Sequence, residues 1–260
     1  MDSNYTLYNG DCLDIMKSLE ANSIDFILCD LPYGTTKCSW DVIIPFEDLW
    51  KEYERIIKDN GCIALFGTEP FSSAVRMSNP SMYRYDWYWH KTLCSNFLNA
   101  KKQPFFKVET ISIFYRKCPT YNPQMVEGKP YSISSINRYN PNGHQQTYGI
   151  KYKKSFDNVT TRYPDNLIEV KSDTNKKDRL YPAMKPVQLC EYLIKTYTNC
   201  NDIVLDNCMG SGSTGVACAY TGRKFIGIEQ NKKYFDNSKE RVKIAFTERI
   251  PDELFEEIKN

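Results

Sequence analysis

The sequence predicts an α/β protein with a mostly parallel sheet and helices on both faces of that sheet. Short apolar runs of strand length alternate along the 260-residue chain with segments whose apolar residues recur at helical spacing. The alternation occurs twice, once on either side of a basic middle segment, and no internal repeat or low-complexity tract interrupts it. Such alternation is typical of parallel strands joined by crossover helices.

The first set of elements precedes the basic segment. Ile24–Cys29 is predicted as a buried strand because it is almost wholly apolar. The spacing of the apolar residues from Phe46 onward predicts a helix that stops at Asn60-Gly61. The remaining elements of this set are a strand, a helix and two half-exposed strands, at residues 62–67, 71–77, 83–91 and 110–115.

The second set follows the basic segment and repeats the pattern. Apolar residues from Val187 to Tyr197 recur at helical spacing, and residues 203–205 form a short apolar strand. A helix opens at Gly212, a strand is predicted at 224–229, and a last helix at 234–246. Each predicted strand of this second set is therefore followed by a helix, as parallel strands require.

Charge divides the chain more sharply than its net value of +2 indicates. Between Arg116 and Tyr181 twelve Lys or Arg face six Asp or Glu, so the rest of the chain carries four net negative charges. The same segment holds seven tyrosines and several Asn-Pro or Pro-Asn pairs. A main domain of residues 1–117 and 181–260, interrupted by an insertion at 118–180, is predicted. The insertion is a candidate nucleic-acid surface, and a solvated insertion without a partner is the alternative.

Ten cysteines raise the question of metal binding or disulfides, but their spacing favours neither. There is no Cys-x-x-Cys pair, and the only histidines, His90 and His144, lie far apart. No metal site is predicted, because zinc requires clustered Cys and His ligands. Cys29, Cys62 and Cys218 lie in apolar stretches, so they are expected to be reduced thiols of the core.

Nothing in the sequence predicts a membrane segment or a secretory signal. The apolar runs are of strand length, and the first residues lack the basic and apolar regions of a signal peptide. We expect a cytoplasmic protein.

A glycine-containing loop follows the strand at 203–205 and opens a helix. It consists of Asp206, Asn207, Cys208, Met209, Gly210, Ser211, Gly212, Ser213 and Thr214. Glycines allow a ligand to approach the backbone, and the helix N-terminus offers free N–H groups. Glu229, at the end of the next strand, can accept hydrogen bonds from both hydroxyls of a ribose. No Gly-Lys-Ser/Thr follows, which disfavours ATP, and the third glycine of the dinucleotide fingerprint is absent. S-adenosylmethionine is therefore the favoured cofactor over NAD.

A second loop, Asp30-Leu31-Pro32-Tyr33, begins where the first buried strand ends. By itself this pattern fits an ordinary turn stiffened by proline. It also fits an amino group on a nucleic-acid base as substrate, because that nitrogen becomes nucleophilic only when acceptors draw on its N–H bonds. The Asp30 carboxylate and the Leu31 carbonyl can supply these acceptors, Pro32 fixes the backbone, and Tyr33 offers a ring on which a flipped base stacks.

Together these motifs resemble the DNA amino-methyltransferases of the beta class, whose catalytic motif is Asp/Asn/Ser-Pro-Pro-Tyr/Phe. The order is the same: catalytic motif, recognition region, cofactor loop. By that resemblance Asp11 and Cys12 belong to an element that binds the cofactor's adenine, and Lys185 meets its methionine carboxylate. The chain departs from the family at three places: Leu31 for the first proline, Tyr181 for a His before Pro182, and Cys208 for a Phe.

The resemblance implies a circularly permuted methyltransferase fold with a seven-stranded sheet containing one antiparallel strand. It implies that residues 118–180 recognise the target in double-stranded DNA. Members with Asp at the position of Asp30 tend to methylate adenine N6, and those with Ser tend to methylate cytosine N4, which is the main alternative. An RNA methyltransferase and an inactive DNA-binding regulator are further alternatives; cytosine C5 chemistry is disfavoured because there is no Pro-Cys pair.

Several residues are candidates for DNA contacts. The candidates in the insertion are Arg138, Lys151, Lys153, Lys154 and Arg162. Trp40, in the loop after the catalytic motif, is a further candidate, with ordering of that loop or simple packing as its alternatives. For each of the lysines a solvated surface charge is the alternative. The resemblance allows a monomer or a homodimer, and a cognate restriction endonuclease as partner.

Overall fold

The computed structural model describes residues 4–35, 41–95, 99–133, 156–171 and 184–248. The chain divides into two compact units, and each is described by itself. The first unit combines Met1–Asn122 with Asn166–Asn260, and the second is Pro123–Asp165. Among the described residues, no helix is both long enough and apolar enough to cross a membrane.

The first unit contains a sheet of eight strands among the described residues. In chain order its strands are β1 (Tyr5–Asn9), β2 (Ile24–Cys29), β3 (Ile57–Gly67), β4 (Tyr83–Ser95), β5 (Phe106–Phe114), β8 (Leu167–Val170), β9 (Ile203–Asp206) and β10 (Lys224–Glu229). They are arranged in the order β1-β10-β9-β2-β3-β5-β4-β8. Only β5 runs antiparallel to its neighbours in this sheet. The predicted mostly parallel sheet with one antiparallel strand is confirmed.

Helices cover both faces of this sheet, as predicted. They are α1 (Cys12–Met16), α2 (Phe46–Ile56), α3 (Phe71–Ser78), α4 (Val187–Tyr197), α5 (Ser213–Thr221) and α6 (Lys232–Thr247). Phe26 and Leu28 of β2 pack in one hydrophobic cluster with residues of α4, α5 and α6. Ile27 and Cys29 pack in a second cluster with residues of α1, α2 and α3. Alternate residues of one strand thus anchor the two helical layers.

The adjacent strands β2 and β9 lie where the order of the sheet reverses. From β2 the chain continues outward through β3, whereas from β9 it continues in the other direction through β10. In open α/β sheets a crevice forms beyond the carboxyl ends of the strands at such a reversal. Asp30 follows β2 directly and Asp206 ends β9, so both predicted loops open into this crevice.

The structure corrects three expectations about the elements. Helix α2 ends at Ile56 rather than at Asn60-Gly61, because Ile57 already pairs with Ile24 as the first residue of β3. The sheet has one strand more than the seven expected, since β8 pairs with β4 although it lies inside the predicted insertion. Strand β1 and helix α1 were not predicted; β1 lies at the sheet edge beside β10.

The second unit contains a strand pair rather than loops alone. Strand β6 (Val126–Ile133) pairs antiparallel with β7 (Phe156–Arg162). The Arg162 guanidinium lies over the Tyr131 ring, 3.9 Å from its centroid, and donates to the carbonyls of Val159 and Thr161 at 3.3 and 3.1 Å. Residues 134–155 lie outside the described part of the chain.

The described cysteines are free thiols, and the prediction that Cys29, Cys62 and Cys218 are buried is confirmed. Within the described ranges, no group of three or more His, Cys, Asp or Glu side chains is arranged to hold a metal ion.

Candidate active site

A cleft of about 1350 Å³ opens at the carboxyl ends of the central strands of the first unit. Many of the predicted site residues line it: Asp11, Cys12, Asp30, Leu31, Pro32, Tyr33, Lys185, Cys208 and Glu229. A smaller cavity of about 40 Å³ adjoins it and shares Asp30, Lys185 and Cys208 with it. The predicted residues lining this smaller cavity also include Asp206, Met209, Gly210, Ser211, Ser213 and Thr214.

The glycine loop folds tightly between β9 and α5. Gly210 and Gly212 adopt positive φ angles of 48° and 76°, which favour glycine over any residue with a side chain. A Cβ atom on Gly212 would also approach Val242 and Ser238 of α6 to 3.0 and 3.2 Å. Gly212 therefore forms the N-cap of α5 and lines neither cavity, so its contribution to the site is to shape the loop.

Glu229 ends β10 and faces the glycine loop. Its Oε2 accepts the Gly210 N–H at 2.9 Å, and its Oε1 accepts the Asn231 N–H at 2.7 Å. Burial raises the pKa of this carboxyl group, against the lowering effect of those backbone donors. Each oxygen retains a second lone pair, so the carboxylate is fixed in place and still able to accept hydrogen bonds from a ligand in the cleft.

Asp206 ties the two ends of the glycine loop together. Its Oδ1 accepts the Cys208 N–H at 3.2 Å, and its Oδ2 accepts the Thr214 hydroxyl at 2.7 Å. Burial raises the pKa of Asp206 to about 7, although both donors act in the opposite direction. The side chain thus acts on the shape of the loop.

Asp11 lines the cleft close to the end of β10 and is the N-cap of α1. Its Oδ1 accepts the backbone N–H groups of Leu13 at 2.8 Å and Asp14 at 3.4 Å, as an N-cap residue does. Cys12, the first residue of the helix, is buried. This geometry gives Asp11 a structural task in addition to the ligand contact that the sequence motif predicts.

The Asp30 loop is held by its own side chains and by one acidic residue further along. The Tyr33 hydroxyl donates to Asp30 Oδ1 at 2.5 Å. The Asp41 carboxylate accepts the backbone N–H groups of Gly34 at 2.8 Å and Thr35 at 2.9 Å. Leu31 is buried, so its side chain anchors the loop in the core. Sequence reasoning missed Asp41, whose role depends on the folded loop.

The Tyr33 ring stacks on Phe71, the first residue of α3. The ring centroids are 4.7 Å apart and the planes are 27° from parallel. One face of Tyr33 is therefore covered by protein. Because Tyr33 also lines the cleft, part of its ring borders the space in which a planar ligand would lie.

Four charged side chains meet beside Tyr33, two of which were not predicted. The Lys185 ammonium donates to Asp30 Oδ2 at 2.6 Å and lies 3.5 Å from Glu109 Oε2. Glu109 Oε1 accepts from Lys91 Nζ at 2.8 Å. Burial opposes the charge on Lys185, but Asp30 and Glu109 outweigh it and raise the pKa of this ammonium. Burial likewise opposes the charge on Glu109, yet Lys185 and Lys91 lower its pKa.

Glu109 and Lys91 come from the antiparallel strand β5 and its neighbour β4. No sequence motif marks them, since an isolated charge in an alternating strand usually faces solvent. Only the pairing register of β4 and β5 would have shown that both residues lie beside the Asp30 loop.

Most of the predicted DNA-contact residues lie outside the described part of the chain. They are Trp40, Arg138, Lys151, Lys153 and Lys154, and Tyr181 is likewise not described. Arg162 is described and belongs to the strand pair of the second unit.

This fold and this arrangement of loops define a DNA amino-methyltransferase. The chain belongs to a family described as DNA methylases, the N6 and N4 methyltransferases, whose sequence profile matches residues 24–240. The resemblance carried by the sequence motifs is thereby confirmed at the level of the family.

Comparison with a relative and with solved structures agrees. The DNA adenine methyltransferase YhdJ of Escherichia coli (strain K12) is 27% identical over 263 residues, covering 92% of this chain and 83% of the relative. The M1.HpyAVI–SAM complex superposes with a TM-score of 0.62 at 24% identity, over 92% of this chain and 98% of that one. The cytosine-N4-specific PvuII DNA methyltransferase superposes with a TM-score of 0.64 at 18% identity, over 94% and 92%. The structural likenesses show the fold.

Proposed function

We propose that this DNA methyltransferase transfers the methyl group of S-adenosylmethionine to the exocyclic N6 of an adenine flipped out of duplex DNA. The observation that carries the proposal is the position of Asp30. Its carboxylate ends a central strand, lines the large cleft, and is shared by the smaller cavity that the glycine loop encloses. A carboxylate at the junction of two cavities is placed to meet an amino group from one side and a cofactor from the other.

The chain's own residues fit a nucleoside cofactor. Glu229, fixed by two backbone N–H groups, presents acceptors for the two ribose hydroxyls. Asp11 and Cys12 line the part of the cleft proposed for the adenine, and Lys185 supplies a cation for the methionine carboxylate. Residues of the glycine loop border the space between these groups. When bound, S-adenosylmethionine supplies an electrophilic methyl group on a positively charged sulfur.

The Asp30 loop prepares the amino group. Asp30 accepts one N–H of the exocyclic nitrogen and the Leu31 carbonyl accepts the other, so the nitrogen lone pair is no longer committed to the ring. Tyr33 supports the base from one side, which requires the base to leave the duplex. The new N–C bond forms as the S–C bond breaks, and Asp30 takes up the proton that the nitrogen then releases. Alignment and exclusion of water account for the rate, and no covalent enzyme intermediate is involved.

Adenine is preferred over cytosine because the first catalytic residue is Asp30, in the position where family members with Asp tend to act on adenine. The relative YhdJ is named as a DNA adenine methyltransferase. Cytosine N4 methylation remains the second candidate, since a cytosine-N4-specific methyltransferase has the same fold.

Duplex DNA is the proposed partner, and residues 118–180 are the proposed recognition region. Twelve Lys or Arg against six Asp or Glu between Arg116 and Tyr181 suit a phosphate backbone. Exposed apolar side chains also line the cleft: Val42, Ile43, Phe105, Phe106 and Val108. They offer an apolar passage for a flipped base. We further propose that the protein is cytoplasmic, acts as a monomer or homodimer, and has a cognate restriction endonuclease as partner.

The test uses purified protein, methyl-labelled S-adenosylmethionine and unmethylated duplex DNA. The DNA is digested to nucleosides, which are separated and weighed. Labelled N6-methyladenine is the expected product, and N4-methylcytosine in its place would overturn the adenine assignment. Parallel reactions with RNA and with protein as acceptor are expected to remain unlabelled. Transfer to RNA alone would overturn the proposal for DNA.

A further inference from the structure

Lys185 lies between two carboxylates. Its Nζ is 2.6 Å from Asp30 Oδ2 and 3.5 Å from Glu109 Oε2. The shorter distance is a charge-assisted hydrogen bond, whereas the longer one is an ion pair outside hydrogen-bonding range. As the structure stands, the ammonium is therefore committed to Asp30.

Glu109 is fixed in place through its Oε1 atom, the oxygen that does not face Lys185. Its Oε1 accepts from Lys91 Nζ at 2.8 Å, and the side chain retains only 14% of its accessible surface. Its Oε2 is the single buried side-chain polar atom without a hydrogen-bond partner among the described residues. A buried acceptor without a donor costs free energy in this state and calls for an explanation, and use of the atom in another state of the protein is one.

Asp30, in contrast, already accepts a strong donor at each of its oxygens. Its Oδ1 accepts from the Tyr33 hydroxyl and its Oδ2 from Lys185. The proposed function, on which this part of the inference rests, requires Asp30 to accept an N–H of the substrate amino group. Each oxygen retains a second lone pair, but the ammonium at 2.6 Å draws charge from Oδ2, so this oxygen becomes a stronger acceptor and base when Lys185 withdraws.

We propose that Glu109 is a positioning residue that receives the Lys185 ammonium when Asp30 Oδ2 turns to the substrate amino group. A shift of Nζ by less than about 1 Å brings it from 3.5 Å to hydrogen-bonding distance of Glu109 Oε2. The lysine keeps a side-chain carboxylate partner throughout, and the four side chains keep two positive and two negative charges. Lys185 thus has two partners within the chain, substrate decides which one it contacts, and in either position the ammonium has further N–H donors for the cofactor's carboxylate.

Withdrawal of Lys185 into solvent is the less favourable route. Its side chain is only 12% exposed, and both carboxylates raise its pKa, so it remains a charged group in a confined space. A buried ammonium without a partner is strongly destabilising. Glu109 removes that penalty.

The sharing of Lys185 is tested without any assay of activity. Thermal unfolding is measured for wild type, Asp30→Asn, Glu109→Gln and the double variant, and for the same set in a Lys185→Met background. Either single variant leaves the ammonium one carboxylate, whereas the double variant leaves it none. We therefore expect the double variant to lose about 10 °C more in Tm than the sum of the single losses. This excess should vanish when Lys185 is replaced by Met.

A remote pair of substitutions provides the control for additivity. Asp30→Asn combined with Glu191→Gln, which breaks the remote ion pair with Lys195, should be additive. Additive losses for Asp30 and Glu109, or an excess that persists without Lys185, would overturn the shared ammonium. If the double variant does not fold, recovery of folding by Lys185→Met supports the proposal and failure to recover contradicts it.

The role of Glu109 in methyl transfer is tested separately, by kinetics. Glu109→Gln should lower kcat for DNA methylation by about 10- to 100-fold. Its dissociation constant for S-adenosylmethionine, from calorimetry, should stay within about threefold of wild type. An unchanged kcat would overturn the proposed second partner of Lys185. A wild-type protein that methylates no DNA would instead refute the proposed function, while the unfolding measurements would still decide whether Lys185 is shared.

Discussion

The hydroxyl of Tyr33 donates to Oδ1 of Asp30 across 2.5 Å, within a single loop of the chain. The proposed catalytic carboxylate is thus oriented by a residue three positions further on, whose ring is itself held by stacking on Phe71. Tyr33 therefore has two separable tasks, one for its hydroxyl and one for its ring.

Substitution of Tyr33 separates these tasks. Tyr33→Phe keeps the ring and removes a hydrogen bond to a charged group, so kcat should fall about tenfold. Tyr33→Ala also removes the platform for the base, and kcat/KM should fall by a further factor of about ten or more. Steady-state kinetics with duplex DNA provide the measurement, with cofactor affinity as the control. Equal losses in the two variants would show that the ring contributes nothing.

Glu229 should determine cofactor affinity. In Glu229→Gln an amide NH₂ replaces one oxygen and faces a backbone N–H, either of Gly210 or of Asn231. The fixed pair of ribose acceptors is lost, so the dissociation constant for S-adenosylmethionine should rise about 10- to 100-fold. Calorimetry measures it, and Glu191→Gln is the matched control. A constant within twofold of wild type would remove Glu229 from the cofactor site.

Asp206 should make stability depend on pH. Its pKa is raised by burial from an ordinary 3.8 to about 7, so the folded state holds a proton that the unfolded state has released. The stability contributed by this proton is fully present below about pH 4 and is lost as the pH rises to about 7. Relative to wild type, Asp206→Asn should therefore gain about 3 kcal/mol of unfolding free energy between pH 5 and pH 8. Urea unfolding at both pH values tests this, and a pH-independent difference would contradict the raised pKa.

Arg162 distinguishes a phosphate contact from a structural role. Its guanidinium is engaged by the Tyr131 ring and by the carbonyls of Val159 and Thr161. Arg162→Ala should therefore weaken DNA binding by loosening the β6–β7 pair, without altering the slope of log Kd against log salt. Fluorescence anisotropy at several salt concentrations measures this slope. A slope reduced by about one would instead identify Arg162 as a phosphate contact.

Local patterns predicted much of the fold. The helix from Val187 to Tyr197 and the strand at 224–229 have the predicted bounds because their apolar spacing is uninterrupted. The predicted end of α2 at Asn60-Gly61 was wrong because these two residues lie in an irregular part of β3, between the pairs Ile24–Ile57 and Phe26–Cys62. Pairing with a distant strand decides that boundary, and no local signal records it.

In the candidate site, too, local motifs predicted some residues and missed those that depend on strand pairing. Motifs led directly to Asp30, Tyr33 and Glu229, since each lies at the end of a strand or in the turn that follows it. Glu109 and Lys91 carry no motif, because their role arises only when β4 and β5 pair and bring them to Lys185. Tertiary register, rather than residue type, makes them part of the site.

Asp30 is the residue on which the proposed methyl transfer depends most. The most direct test of this dependence is the single-turnover rate of transfer to duplex DNA by Asp30→Ala, with the dissociation constant for S-adenosylmethionine measured in parallel. We expect a rate at least about 1000-fold below wild type, because the acceptor for the amino group is gone, and a dissociation constant changed by less than about threefold. A variant that transfers methyl groups at the wild-type rate would contradict the role proposed for Asp30.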